Sequence, residues 1–189
     1  TEVCGTGIDE DCDGIGAGCG ASGAWDLADA EARLLGESGY DYAGGSVAVV
    51  DVDDDGFCDV LIGATGHEQA GVNAGAVYLV LGPITGDIDL RDADTKWVGQ
   101  EVEDALGWPV AAGGDLDGDG GLDLLMTAAG DDTIDENTGA VHIVSGTDRG
   151  NLSIGDSWAE VYGEQYHNYF GRSLVGVGQR RRARRRHPP

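Results

Sequence analysis

Asp115-Leu-Asp-Gly-Asp-Gly-Gly-Leu-Asp123 decides how this chain is read, because the same arrangement stands earlier as Asp51-Val-Asp-Asp-Asp-Gly-Phe-Cys-Asp59. Both stretches place carboxylates at loop positions 1, 3, 5 and 9 and a glycine at position 6. Glycines let a short loop fold tightly enough to turn its carboxylates inward. Two carboxylates about 4 Å apart repel by roughly 4 kcal/mol at an effective dielectric near 20, so such a loop needs a counter-ion to stay compact. Calcium answers that need: it takes only oxygen ligands and tolerates irregular geometry, whereas zinc or copper would want a matched set of His or Cys that neither loop supplies. Magnesium, which demands a stricter geometry, is the less favoured alternative. The spacing nominates Asp51, Asp53, Asp55 and Asp59 in one loop and Asp115, Asp117, Asp119 and Asp123 in the other as ligands.

An EF-hand opens with the same D-x-D-x-D-G but runs to about twelve residues and closes on a bidentate Glu. Position 12 here is Ile62 or Met126. The flanks are also unlike helices. Ser46-Val-Ala-Val-Val50 before the first loop and Val60-Leu-Ile-Gly-Ala64 after it are short and β-branched, as buried strands are. A single Asp/Gly cluster would be read as a solvated hairpin turn; two copies at one spacing argue against that. Cys58, at position 8 of one copy only, reads as packing and not as a ligand.

Outward from the loops the repeat continues. Asp26-Leu-Ala-Asp-Ala-Glu-Ala-Arg-Leu-Leu-Gly36 matches Asp89-Leu-Arg-Asp-Ala-Asp-Thr-Lys-Trp-Val-Gly99 and, more loosely, the stretch ending at Gly163. Gly44, Gly107 and Gly171 follow those three glycines at a fixed interval, and Gly75-Ala-Val-Tyr-Leu-Val-Leu-Gly82 matches Gly139-Ala-Val-His-Ile-Val-Ser-Gly146. A period of about 64 residues with four strand-like runs, here 46–50, 60–64, 76–81 and 96–99, is the mark of a propeller or similar radial array.

Composition agrees with an all-β chain. Among 189 residues there are 34 Gly and one Met, and 35 acidic against 11 basic residues give a formal charge of -24. So acidic a surface is a poor partner for nucleic acid or anionic lipid. No segment approaches the roughly 20 apolar residues that span a bilayer, so membrane insertion is not expected. The chain divides into a Cys/Asp-rich segment (1–24), the repeat array (25–178) and a basic tail (179–189). Six arginines between Arg180 and Arg186 begin where the next loop carboxylate should stand, at Gln179. In GC-rich DNA, Asp and Gly codons read out of frame encode arginine, so the tail reads as disordered or frameshifted, with further blades expected in its place.

The two loops, Gly75-Ala-Val-Tyr-Leu79 and Phe170-Gly171-Arg-Ser173 together resemble FG-GAP repeats, the blades of integrin α-chain β-propellers. The first repeat has Ala43-Gly44 where Phe-Gly is usual and is one residue short before Asp51; the second has Leu106-Gly107 followed by Trp108-Pro109. The resemblance implies one Ca²⁺ per loop, with the carbonyls of Phe57 and Gly121 as further ligands. It implies an all-β, partial β-propeller of about three four-stranded blades, not closed on its own, whose open blade edges would favour self-association. Residues 1–24 resemble Cys/Asp-rich metal-binding segments of secreted bacterial proteins, which implies a Cys4–Cys12 disulfide; Cys19 and Cys58 could also pair.

Catalytic signatures are missing: there is no G-x-S-x-G elbow, the lone Lys96 lies outside any phosphate-binding glycine loop, and His67 and His142 are isolated. Trp97, Trp108 and Trp158 read as core or blade-interface residues. The expectation is a calcium-binding, non-catalytic repeat protein of the cell surface or extracellular space that binds a protein or glycan ligand. The rival expectation is the non-catalytic propeller portion of a larger secreted hydrolase.

Overall fold

The computed structural model describes residues 30–176. Eleven strands follow one another along it: β1 (Ala32–Leu35), β2 (Ser46–Val50), β3 (Asp59–Ala64), β4 (Ala76–Val80), β5 (Gly86–Asp89), β6 (Thr95–Val98), β7 (Leu106–Gly114), β8 (Asp123–Ala128), β9 (Ala140–Ser145), β10 (Gly150–Ser153) and β11 (Ala159–Tyr162). Two short 3-10 turns, Leu90–Asp92 and Ile154–Asp156, precede β6 and β11. Among the described residues no helix is long and apolar enough to cross a membrane.

Strands β2, β3, β4 and β6 form one antiparallel meander, the first blade, and β7, β8, β9 and β11 form the second. The blades are joined by a device that the sequence pattern did not announce. Strand β5 leaves the first blade's last connection and pairs in parallel with β1, Ala32 opposite Gly86; β10 does the same from the second blade onto β6, Thr95 opposite Gly150. Thus β1 occupies the place of a preceding blade's outer strand. Among the described residues the architecture is all-β, with several sheets and none closed: a partial, open propeller of two complete blades and pieces of those on either side.

The period-two alternation of each strand sorts its side chains between two cores. Leu61, Leu79, Val77 and Trp97 of the first blade meet Val110, Leu124, Met126 and Val144 of the second in the larger core. Ile62, Tyr78 and Val80, on the opposite face of the first blade, pack with Leu34 and Ile88 around the β1–β5 pair. Being covered on both faces explains why β3 and β4 read as continuous apolar runs instead of alternating ones. Each large apolar side chain fully buried this way contributes about 1.5–3 kcal/mol.

The far face of the second blade is the exception. Val161 is 47% exposed where its counterpart one repeat earlier, Trp97, is 1% exposed; Leu116 is 50% exposed against 5% for its counterpart Val52. The extra residue that the second repeat carries before its loop is absorbed by an irregularity in β7 between Ala112 and Gly114, so both loops leave their blades in the same sense. Of the three tryptophans assigned to cores or interfaces, Trp97 is buried, whereas Trp108 and Trp158 are 65% and 45% exposed. Trp108 falls in the irregularity of β7 between Leu106 and Val110, where the ladder to β8 is interrupted, and Trp158 immediately precedes β11.

Candidate metal centre

Each acidic loop is the hairpin between the first two strands of a blade, so the antiparallel ladder brings its first and ninth residues together. The turn is shaped by two left-handed residues. Position 4 is Asp54 (φ 60°) in the first loop and Gly118 (φ 84°) in the second; position 6 is Gly56 (φ 92°) and Gly120 (φ 95°). Asp tolerates this conformation better than most residues, which is why a non-glycine stands at one of the four.

The outcome is two matching clusters: Asp51, Asp53 and Asp59, and Asp115, Asp117 and Asp123, each offering oxygens within 4.8 Å of one another. Positions 1, 3 and 9 converge. The position 5 carboxylates lie outside these clusters. Like positions 1 and 3 they accept from backbone N–H groups of the turn, Asp55 Oδ1 from Phe57 at 2.8 Å and Asp119 Oδ1 from Gly121 at 2.6 Å. The N–H groups of Phe57 and Gly121 therefore serve the turn, while their carbonyls are the atoms nominated as ligands. Cys58 is disulfide-bonded, so its sulfur offers no thiolate and packing alone does not account for it. The Cys4–Cys12 pairing, Cys19 and the basic tail lie outside the described residues.

Backbone N–H groups preorganise the cluster. Val52 and Gly82 donate to the two oxygens of Asp59 at 2.6 and 2.7 Å, and Gly56 and Asp55 donate to Asp51 at 3.1 and 3.2 Å. Asp59 is buried, and burial pushes its carboxyl above the ordinary range; the backbone donors oppose this, while the charges of Asp53 and Asp51 add to it. Burial likewise raises Asp51, helped by Asp55 and Asp54. A site whose carboxylates resist ionisation in one another's company is one that a divalent cation relieves. The all-oxygen donor set fits a hard cation such as calcium and lacks the imidazole or thiolate that zinc prefers.

A second polar cluster was not legible beforehand. Lys96 Nζ reaches Glu37 Oε1 at 2.8 Å and lies 5.5 Å from the centroid of the Tyr78 ring, while His67 Nε2 stands 3.5 Å from Glu37 Oε2. Both Lys96 and His67 are buried. Desolvation works to raise Glu37, but the Lys96 hydrogen bond and charge outweigh it and hold the carboxyl below its usual range. The counterparts one repeat later are Gln100, Asp131, His142 and Glu160, so comparing repeats gave no signal for it. With its lysine tied to a carboxylate, the cluster is a structural ion pair at the face that meets β1.

Comparison with known proteins gives the same reading. Residues 43–80 match the model of the FG-GAP repeat. The chain is 37% identical over 101 residues to human integrin alpha-IIb and 35% identical over 104 residues to integrin alpha-5 of Xenopus laevis. Those stretches cover 51% and 53% of this chain but only 10% of each relative.

Proposed function

We infer that this chain, an FG-GAP-repeat segment of the integrin α kind, is a calcium-stabilised binding module. The observation that carries the reading is the convergence of loop positions 1, 3 and 9 in both repeats on the same geometry. Calcium bound there fixes each blade's first hairpin and neutralises its acidic tip. With the loops rigid, neighbouring blade connections present a fixed surface to a protein or glycan ligand outside the cell. The role is adhesive, not catalytic. The acidic surface disfavours nucleic acid, and membrane insertion plays no part in it. Support for an extracellular setting and an adhesive role comes from relatedness to integrin α chains over a tenth of their length.

Calorimetric titration of a chelator-stripped sample tests the metal. Heat corresponding to about two sites is expected for the unmodified chain and about one for Asp115→Ala. Absence of heat in the unmodified chain would sink the proposal.

A further inference from the structure

The closing carboxylate of each loop is held twice, and the two loops achieve this with different groups. In the first, Asp59 accepts from the backbone N–H of Val52 and of Gly82. In the second, the N–H of Leu116 takes the place of that of Val52, donating to Asp123 Oδ2 at 2.6 Å. The counterpart of Gly82, however, is Gly146, and its N–H donates to the carbonyl of Leu122 at 2.8 Å. The oxygen so released, Asp123 Oδ1, accepts instead from the indole Nε1–H of Trp158 at 3.3 Å.

Trp158 is therefore a replacement for a main-chain donor. The residue in its place one repeat earlier is Asp94, whose carboxylate accepts from the N–H of Leu81 at 2.8 Å. The backbone of Trp158 is fixed where β11 begins, since the Trp158 N–H donates to the carbonyl of Ile143. Asp123 is 3% exposed, so an oxygen without a donor there would be left desolvated. Trp158 as a whole is 45% exposed.

We propose that Trp158 is the positioning residue of the second cation loop, its indole N–H fixing the Asp123 carboxylate for a divalent cation and coupling that site to a partly exposed indole ring. The inference rests on the reading of the loops as cation sites. Outer hydrogen bonds that orient a ligand typically matter 10- to 100-fold in metal affinity; a single neutral donor belongs at the low end of that range. It also makes the two loops unequal: only the second has its closing carboxylate held by a side chain.

Calcium titration of the chelator-stripped full chain, unmodified and as Trp158→Phe and Trp158→Gln, tests this. Phe keeps an aromatic ring without the donor; Gln keeps an N–H without the ring. Trp158→Phe is expected to weaken one of the two sites about tenfold and spare the other, with Trp158→Gln closer to the unmodified chain. In the unmodified chain, filling the second loop should shift indole emission, a change that Asp115→Ala abolishes and Asp51→Ala retains. Equal affinities in Trp158→Phe and the unmodified chain, equal losses in the two variants, or an emission change that survives Asp115→Ala would overturn the assignment. No calcium heat in the unmodified chain would overturn both this assignment and the metal reading; normal heat with an insensitive Trp158→Phe would overturn this one alone.

Discussion

Gly63 and Gly107 meet backbone to backbone where the two blades join: a Cβ built on Gly63 would stand 1.7 Å from the carbonyl oxygen of Gly107. Gly63 belongs to β3 and Gly107 to β7, so this approach, together with that of Gly75 to Leu106, sets how near the second blade's first strand lies to the first blade. Gly107 is further committed by a φ of +116°.

Gly63→Ala should consequently force the blades apart and destabilise the chain by about 3 kcal/mol or more, the upper range for overpacking. Gly39→Ala serves as the control, since an added Cβ there meets nothing within 4 Å and Gly39 has no positive φ; it should be neutral or slightly stabilising. Urea unfolding of the two variants checks the contrast. Equal midpoints would show that the junction tolerates a wider spacing.

Lys96→Met strips Glu37 of its cation. The cost expected is about 2 kcal/mol, below the 3–5 kcal/mol of a fully buried broken pair because Glu37 retains some solvent. Adding Glu37→Gln should restore part of it, so the two losses should fall short of additive in a double-mutant cycle. Strict additivity would mean that the 2.8 Å contact contributes no coupling.

Asp104 gives the blade junction a pH dependence. Burial pushes its carboxyl up to about 6, with the charges of Asp131 and Glu101 adding to the effect and the N–H groups of Glu101 and Gln100 opposing it. Between its ordinary value and about 6 the folded state holds more protons than the unfolded state, so stability falls as pH rises through that window. Asp104→Asn, which still accepts from the Glu101 N–H, should flatten this slope in thermal unfolding at pH 4 to 7. An unchanged slope would place the titration elsewhere.

The face carrying Val161 and the opposite face carrying Val47 and Val49 are exposed where their counterparts inside the array are covered. The isolated chain should associate with rising concentration, and Val161→Lys together with Val47→Lys should weaken that association in sedimentation velocity runs. Concentration-independent sedimentation of the unmodified chain would argue that these faces are self-sufficient.

Much of the fold was legible because the repeat is written twice. The runs 46–50, 60–64, 76–81 and 96–99 coincide within a residue or so with β2, β3, β4 and β6. Each combines apolar side chains with a bounding glycine or acidic loop. The parallel strands β5 and β10 escaped notice because Gly86-Asp-Ile-Asp89 and Gly150-Asn-Leu-Ser153 are mostly polar, each with a single apolar residue, Ile88 or Leu152, packed against a core beside its backbone ladder. Of the nominated ligands, positions 1, 3 and 9 converge and position 5 does not join them, while positions 1, 3 and 5 all accept N–H groups of the turn; spacing alone does not separate a ligand from an Asx-type turn. Trp158 could not be found by register, since the preceding repeat has an aspartate there.

The parallel pairing of β5 with β1 and of β10 with β6 also bears on how such an array can be synthesised and copied. As the chain leaves the ribosome, β1 has no partner on that side until residues 86–89 have emerged, so a blade is finished only after most of its successor has been made. A gene segment running from one Gly36-type glycine to the next encodes four strands of its own blade and a fifth that belongs to its neighbour's sheet. Duplicating or deleting that whole segment therefore leaves each blade with an attachment to whatever precedes it, because every segment carries its own. A break inside the segment is what strands β5 or β10 away from its partner.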